Sequence, residues 1–137
     1  HNIVAVKEAS GILDQVAEIR TKCGPEFVIY SGDDNLTLPI MAVGGDGIVS
    51  EASHVAGEHI QGMIRAFLAG DVARAAEVHR RLLPLFKGIF ITANPIPIKV
   101  ALALAGFDAG GLRPPMIDAT DAERAHIEGI MQSLDLI

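Results

Sequence analysis

Cysteine is almost absent: Cys23 stands alone in 137 residues. No internal disulfide can brace the fold, which suits a reducing compartment, and its place near an expected helix end marks it as a partly buried packing thiol. Long apolar runs are also missing. None approaches the roughly 18 residues of a bilayer span, and no charged-then-apolar leader opens the chain, so a soluble, cytoplasmic protein with no membrane partner is expected. Basic charge is scarce: 11 Lys plus Arg face 17 Asp plus Glu, a net charge of −6. The basic residues are scattered rather than gathered in a patch, which argues against nucleic acid as a partner. A CxxC pair, a Walker loop and a Ser-His-Asp signature are all lacking.

What is present is apolar. Half of the residues are hydrophobic and only 20% are charged, enough to bury a sizeable core and inconsistent with disorder. The chain opens on His1 rather than Met, already inside a strand-like run, and reads as processed or as a piece of a longer protein.

Three short Val- and Ile-rich runs, Ile3 to Val6, Phe27 to Tyr30 and Gly47 to Val49, read as buried parallel strands. Between them lie helical patterns. Ile12, Leu13, Val16, Ala17 and Ile19 form a stripe that stops at Gly24-Pro25, and Leu36 to Val43 closes at Gly44-Gly45. Alternating strand and helix is the signature of βαβ units.

Beyond the third strand only helices follow. One runs from about Ser53 to Leu68, another from Gly70-Asp71 to about Phe90, and a third behind "NPIPIK", whose prolines suit a helix entrance. The last opens on "TDAE", a capping box pairing Thr120 with Glu123. "GFDAGGLRPP" is the one linker-like stretch. Three parallel strands leave raw edges, and a (β/α)8 barrel takes on the order of 250 residues, so an α/β reading as the C-terminal part of such a barrel fits best. The boundaries read are residues 1–69 for the last three βα units and 70–137 for a C-terminal helical domain. A small complete three-stranded α/β domain is the alternative.

Lys7 stands at the C-terminal end of the first strand, where reacting groups of barrels and parallel sheets gather. If buried, its ammonium form is disfavoured, and the neutral amine can attack a carbonyl to form an imine. The bland reading is a lysine whose stem snorkels to water. Glu8, next along the strand, points to the opposite side and reads as a structural partner rather than a base. In "YSGDDN", Gly32 permits close backbone approach, while Asp33 and Asp34 either orient a polar substrate or cap the following helix, capping being the better expectation. "GGDGIVS" invites a phosphate-loop reading, but its glycines precede the strand and so sit at the wrong end. His54 and Glu58, with His59 adjacent, miss the inverted zincin spacing by one residue, and no metal site is expected. His79, Arg80 and Arg81 read as surface.

Taken together, "IVAVKEASG", "YSGDDN", "GGDGIVS" and "NPIPIK", in this order and at these separations, resemble the C-terminal part of the dihydrodipicolinate synthase family of pyruvate-dependent class I aldolases. The resemblance runs over essentially all of the chain. It implies that Lys7 forms a Schiff base with pyruvate, with no separate cofactor, and that the resulting enamine attacks aspartate 4-semialdehyde on the way to diaminopimelate and lysine. It further implies that Val49 contacts bound pyruvate through its backbone, at a position where isoleucine is common in the family. Gly32 and Asp33 would lie on the substrate side. A homotetrameric full-length protein is implied as well.

The family's proton relay, its arginine for the semialdehyde carboxylate and its allosteric lysine site belong to segments absent here, so the chain alone is expected to be inactive. Two other readings stand beside this one. The first is a related aldolase acting on another aldehyde, of the N-acetylneuraminate lyase or keto-deoxy sugar acid type. The second is a non-catalytic α/β module in which Lys7 is structural.

Overall fold

A computed structural model describes residues 2–137; His1 lies outside the described residues. Strands β1 (Ala5–Glu8), β2 (Val28–Ser31) and β3 (Gly47–Ile48) form one parallel sheet in that order. Helix α1 (Leu13–Cys23) links the first two; a 3-10 turn (Asp34–Leu36) and α2 (Thr37–Ala42) link the second and third. Four helices follow: α3 (Ser53–Leu68), α4 (Val72–Gly88), α5 (Ile96–Leu104) and α6 (Asp121–Ser133). The alternating βα order and the all-helical second half are those expected from the sequence.

Register corrects the strand bounds. Ala5 pairs with Val28 and Glu8 with Ser31, so β1 begins two residues later than its apolar run. Ile3 and Val4 are exposed, and Lys7 and Glu8 lie within the strand rather than behind it. Hydrophobicity alone placed the strand where the residues are apolar; pairing partners placed it where β2 is available. The third strand ends at Ile48, leaving Val49 just past it.

Residues paired across a parallel ladder project to the same side, so the sheet has two unlike faces. Glu8, Ile29 and Ser31 are buried on one, where Ile29 packs with Val16 of α1 and Ile40 of α2. Ala5, Lys7, Tyr30 and Val49, on the other, are exposed. Burial on both faces was expected, but the helices cover one face only, and no described residue closes the other. Glu8 takes its structural role on the covered side: its Oε1 accepts from the Ser10 amide at 2.9 Å and from Gln15 Nε2 at 3.1 Å.

Arg20, near the end of α1, ties the N-terminal edge of the sheet together. Its guanidinium donates to the carbonyls of Gly24 (3.0 Å), Pro25 (3.0 Å), Phe27 (2.7 Å) and Gly44 (2.8 Å), and pairs with Asp46 at 2.6 Å. Asp46 also accepts from the Ile29 amide at 2.8 Å. The "GGDG" stretch is thus a structural anchor at the N-terminal end of the strands, which agrees with setting phosphate binding aside.

A larger core lies in the helical layer. Ile60 and Met63 of α3, Leu82, Leu85 and Phe86 of α4, Ala101 of α5, and Ile127 and Met131 of α6 form one buried cluster. It crosses the boundary read at residues 69 and 70, because α3 and α4 pack on each other more extensively than any other pair of elements. Asp71 caps α4 by accepting from the Arg74 amide at 3.0 Å, and the Thr120/Glu123 capping box opens α6 as predicted. Pro84 sits inside α4, which stops at Gly88 rather than Phe90.

Two smaller expectations are corrected. Cys23, the last residue of α1, is exposed rather than partly buried. His79 is half-buried rather than on the surface: its ring tilts against Phe86 with centroids 5.8 Å apart, and its Nδ1 is enclosed without a hydrogen-bond partner among the described residues.

Candidate active site

The site grows from the C-terminal ends of the three strands. Lys7, paired with Tyr30, projects from the open face of β1. Immediately past β2 the chain must cross close to β1, and Gly32 allows this: a Cβ there would fall 2.5 Å from the Ala9 Cβ and 3.1 Å from Lys7 Cε. The crossing is held by the Gly32 amide donating to the Glu8 carbonyl at 2.6 Å. Val49 is fixed likewise by its amide on the Ser31 carbonyl at 2.9 Å. Lys7, Gly32 and Val49, singled out from sequence, therefore meet at the wall of one open cavity of about 260 Å³.

Asp33 is not in that wall. It borders a separate hollow of about 310 Å³ beside Phe86, Lys87 and Phe90. Neither aspartate caps the helix that follows it. The Asp33 side chain makes no cap bond, whereas Asp34, buried, reaches across to the start of α3. There it accepts from the Ser50 hydroxyl, from the Glu51 amide at 3.1 Å and from the Ala52 amide at 3.2 Å. A carboxylate at these otherwise unpaired N-terminal amides is favoured by hydrogen bonding and by the helix dipole. The consequence is positional, because Asp34 locks the Ser50-Glu51 corner against the end of β2.

Among the further residues of the wall that sequence reasoning did not place near Lys7 are Glu51, His54 and Asn94. Asn94 lay within the quoted "NPIPIK" motif, but only the fold folds α5's entrance back over β3. Its Nδ2 donates to Glu51 Oε2 at 2.6 Å. The other oxygen, Glu51 Oε1, is buried and lacks a partner among the described residues. Burial raises the Glu51 pKa above the ordinary carboxylate value, and the nearby charge of Asp34 adds to this; Lys7 and the Asn94 hydrogen bond oppose it. His54, set aside from sequence as a metal ligand and read as part of a solvated helix face, lines this cavity, and no metal-holding group of His, Cys, Asp and Glu occurs among the described residues.

The dry pocket expected around Lys7 is not formed by this chain. Lys7 is exposed, because three strands with helices on one side cannot enclose the opposite side. What the residues do assemble is a primary amine, a partly buried carboxyl group and a carboxamide around one cavity at the strand ends, a set suited to carbonyl chemistry on an amine.

The fold and this site define an α/β chain that presents a lysine amine at the C-terminal ends of a parallel sheet. The sequence profile of the dihydrodipicolinate synthetase family matches residues 1–134, and the chain belongs to that family. It is 56% identical over 136 residues to 4-hydroxy-tetrahydrodipicolinate synthase of Cyanothece sp., covering 99% of this chain and 46% of the relative. A crystal structure of the dihydrodipicolinate synthase of Cyanidioschyzon merolae with lysine bound superposes with a TM-score of 0.97 at 46% identity, over 99% of this chain and 46% of that one. The chloride-inhibited enzyme of Acinetobacter baumannii complexed with pyruvate gives 0.92 at 26% identity, over 99% of this chain and 47% of its own. The chain thus spans a little under half the length of the relatives it matches. Among the described residues, no helix is long and apolar enough to cross a membrane.

Proposed function

We propose that this chain is the lysine-bearing, C-terminal portion of a (β/α)8-barrel synthase that condenses pyruvate with aspartate 4-semialdehyde, Lys7 carrying pyruvate as an imine. The observation that carries the reading is the convergence of Lys7, Gly32 and Val49 on one cavity at the C-terminal ends of parallel strands, where barrels place their chemistry. The placement within the barrel rests on element order: after β3 the chain turns to helix–helix packing and supplies no further strand among the described residues.

In this reading the Lys7 amine adds to the keto carbon of pyruvate and water leaves. The cationic nitrogen then stabilises the enamine formed when a proton departs from the methyl carbon, and the enamine carbon attacks the aldehyde. The main chain around Val49 and Gly32 shapes the pyruvate side of the cavity. The remaining strands close the open face, desolvate the amine and supply the groups that bind the aldehyde, and the full-length protein works as a homo-oligomer, a tetramer in our reading. The naming of the relatives as synthases favours this aldehyde over a sugar-derived one.

The test is reductive trapping. The full-length polypeptide treated with pyruvate and borohydride is expected to carry the reduced adduct on the Lys7 peptide, seen by mass spectrometry after digestion. Lys7→Ala should lose the adduct and essentially all turnover. Residues 1–137 alone, lacking the enclosing strands, should show no normal turnover with both substrates. A full-length protein with no adduct, or with unchanged turnover after Lys7→Ala, would refute the proposal.

A further inference from the structure

We infer that Asp34 positions the keto-acid side of the cavity: from behind β2 its buried carboxylate pins the corner after β3 and so holds the Val49 main chain where pyruvate meets it. The inference deepens the proposed function and rests on its imine reading of Lys7. Asp34 is 1% exposed. Its side-chain partners, the Ser50 hydroxyl and the Glu51 and Ala52 amides, all lie in that corner. Its own turn closes without the carboxylate, through the Leu36 amide on the Asp33 carbonyl at 3.0 Å and the Thr37 hydroxyl on the Asp34 carbonyl at 2.8 Å. Burying a carboxylate is costly even when donors satisfy it, and an apolar side chain could fill the same space. What the carboxylate adds is direction, because its hydrogen bonds fix a corner that packing alone leaves free to shift.

Val49 is 46% exposed, so packing holds it weakly. It is fixed instead from both sides along the chain. Its own amide donates to the Ser31 carbonyl at 2.9 Å, and just beyond it Ser50 and Glu51 are tied to Asp34. Both ties run to one short stretch, Ser31 to Asp34, which also carries Gly32, where a Cβ would fall 3.1 Å from Lys7 Cε. The amine and the Val49 main chain are therefore both set from that stretch. Lys7, Gly32, Val49, Ser50 and Glu51 border the cavity, whereas Asp34 stands outside its wall. Asp34 thus acts through the corner rather than on the substrate.

The experiment measures steady-state turnover of the full-length polypeptide, varying pyruvate and the semialdehyde in turn, for wild type, Asp34→Asn, Ser50→Ala and the helical-core variant Ile127→Val. Circular dichroism checks folding, and mass spectrometry checks the borohydride adduct. Asp34→Asn keeps the size but sets an NH2 group against donors. It should raise the KM for pyruvate at least about tenfold, while kcat and the KM for the semialdehyde stay within about threefold of wild type. Ser50→Ala removes one tie and should raise the pyruvate KM about threefold. Ile127→Val, altered away from the cavity, should match wild type. An unchanged pyruvate KM in Asp34→Asn, or a semialdehyde KM that rises equally, would overturn the role of Asp34 while leaving Lys7 as the imine residue. A pyruvate KM raised equally in Ile127→Val would reduce Asp34 to a stability role, which also overturns it. Should Asp34→Asn fail to fold, Ser50→Ala decides alone, and an unchanged pyruvate KM there overturns the inference. No adduct in wild type would sink the reading of Lys7 and this inference with it.

Discussion

The two hydrophobic cores of this chain are built to different degrees of completion. In the helical layer, side chains from α3, α4, α5 and α6 enclose one another, and Phe86, Leu82, Leu85, Ile127 and Met131 are all at 1% exposure or less. Under the sheet the apolar side chains fully enclosed among the described residues are Val16, Ile29 and Ile40, and the opposite face of the same strands holds Lys7, Tyr30 and Val49 open. Helices can bury an apolar stripe against one another, whereas a parallel sheet needs cover on both faces. The difference teaches that burial is concentrated in the helices, while the lysine proposed to carry the imine stands on the uncovered side of the strands. The lysine is carried by the region that this chain leaves least covered.

Removing the centre of the helical core should have the largest effect on stability. Phe86→Ala takes out a fully buried ring, and a loss of about 3–5 kcal/mol is expected in denaturant unfolding of the full-length protein. A loss below about 1 kcal/mol would mean the helical layer is not the stable part. At the junction of the two regions, Gly32→Ala drives a methyl group into Ala9 and against the Lys7 stem. A cost of about 1–3 kcal/mol is expected, with slower pyruvate trapping; normal trapping would show that the crossing of β1 and β2 does not position the lysine.

The smallest effect is expected from His79. Burial, and secondarily the charge of Arg80, lower its pKa below 6.5 in the folded state. The unfolded chain therefore binds the proton first. The stabilisation is present above pH 6.5 and is lost as pH falls through the folded-state value. Unfolding followed between pH 7 and pH 5 should show a decline that His79→Gln flattens; identical pH curves would remove His79 from the balance.

Much of this architecture was legible. The periodicities of α1, α3 and α6 read correctly because each helix buries an apolar stripe, and α1 stops where expected because Gly24 takes a positive φ that ends the helix. That Lys7, Gly32 and Val49 gather at one cavity was legible through ordered motifs. Asp33 and Asp34 were not: a carboxylate beside a helix start looks like a local cap, and only the tertiary structure reveals that Asp34 holds Ser50, Glu51 and Ala52 at the entrance of α3, sixteen to eighteen residues further along the chain. Glu51 gave no signal at all, since a glutamate after a strand is ordinarily solvated.

By itself the sequence determined the alternation of strand and helix, the helical second half and the residue types able to make an imine, because periodicity, caps and side-chain chemistry are local properties. The tertiary structure alone decided strand register, which face of the sheet stays open, and the meeting of Lys7 with Glu51 and Asn94. Those depend on which segments find each other across many residues, and no local pattern encodes a partner.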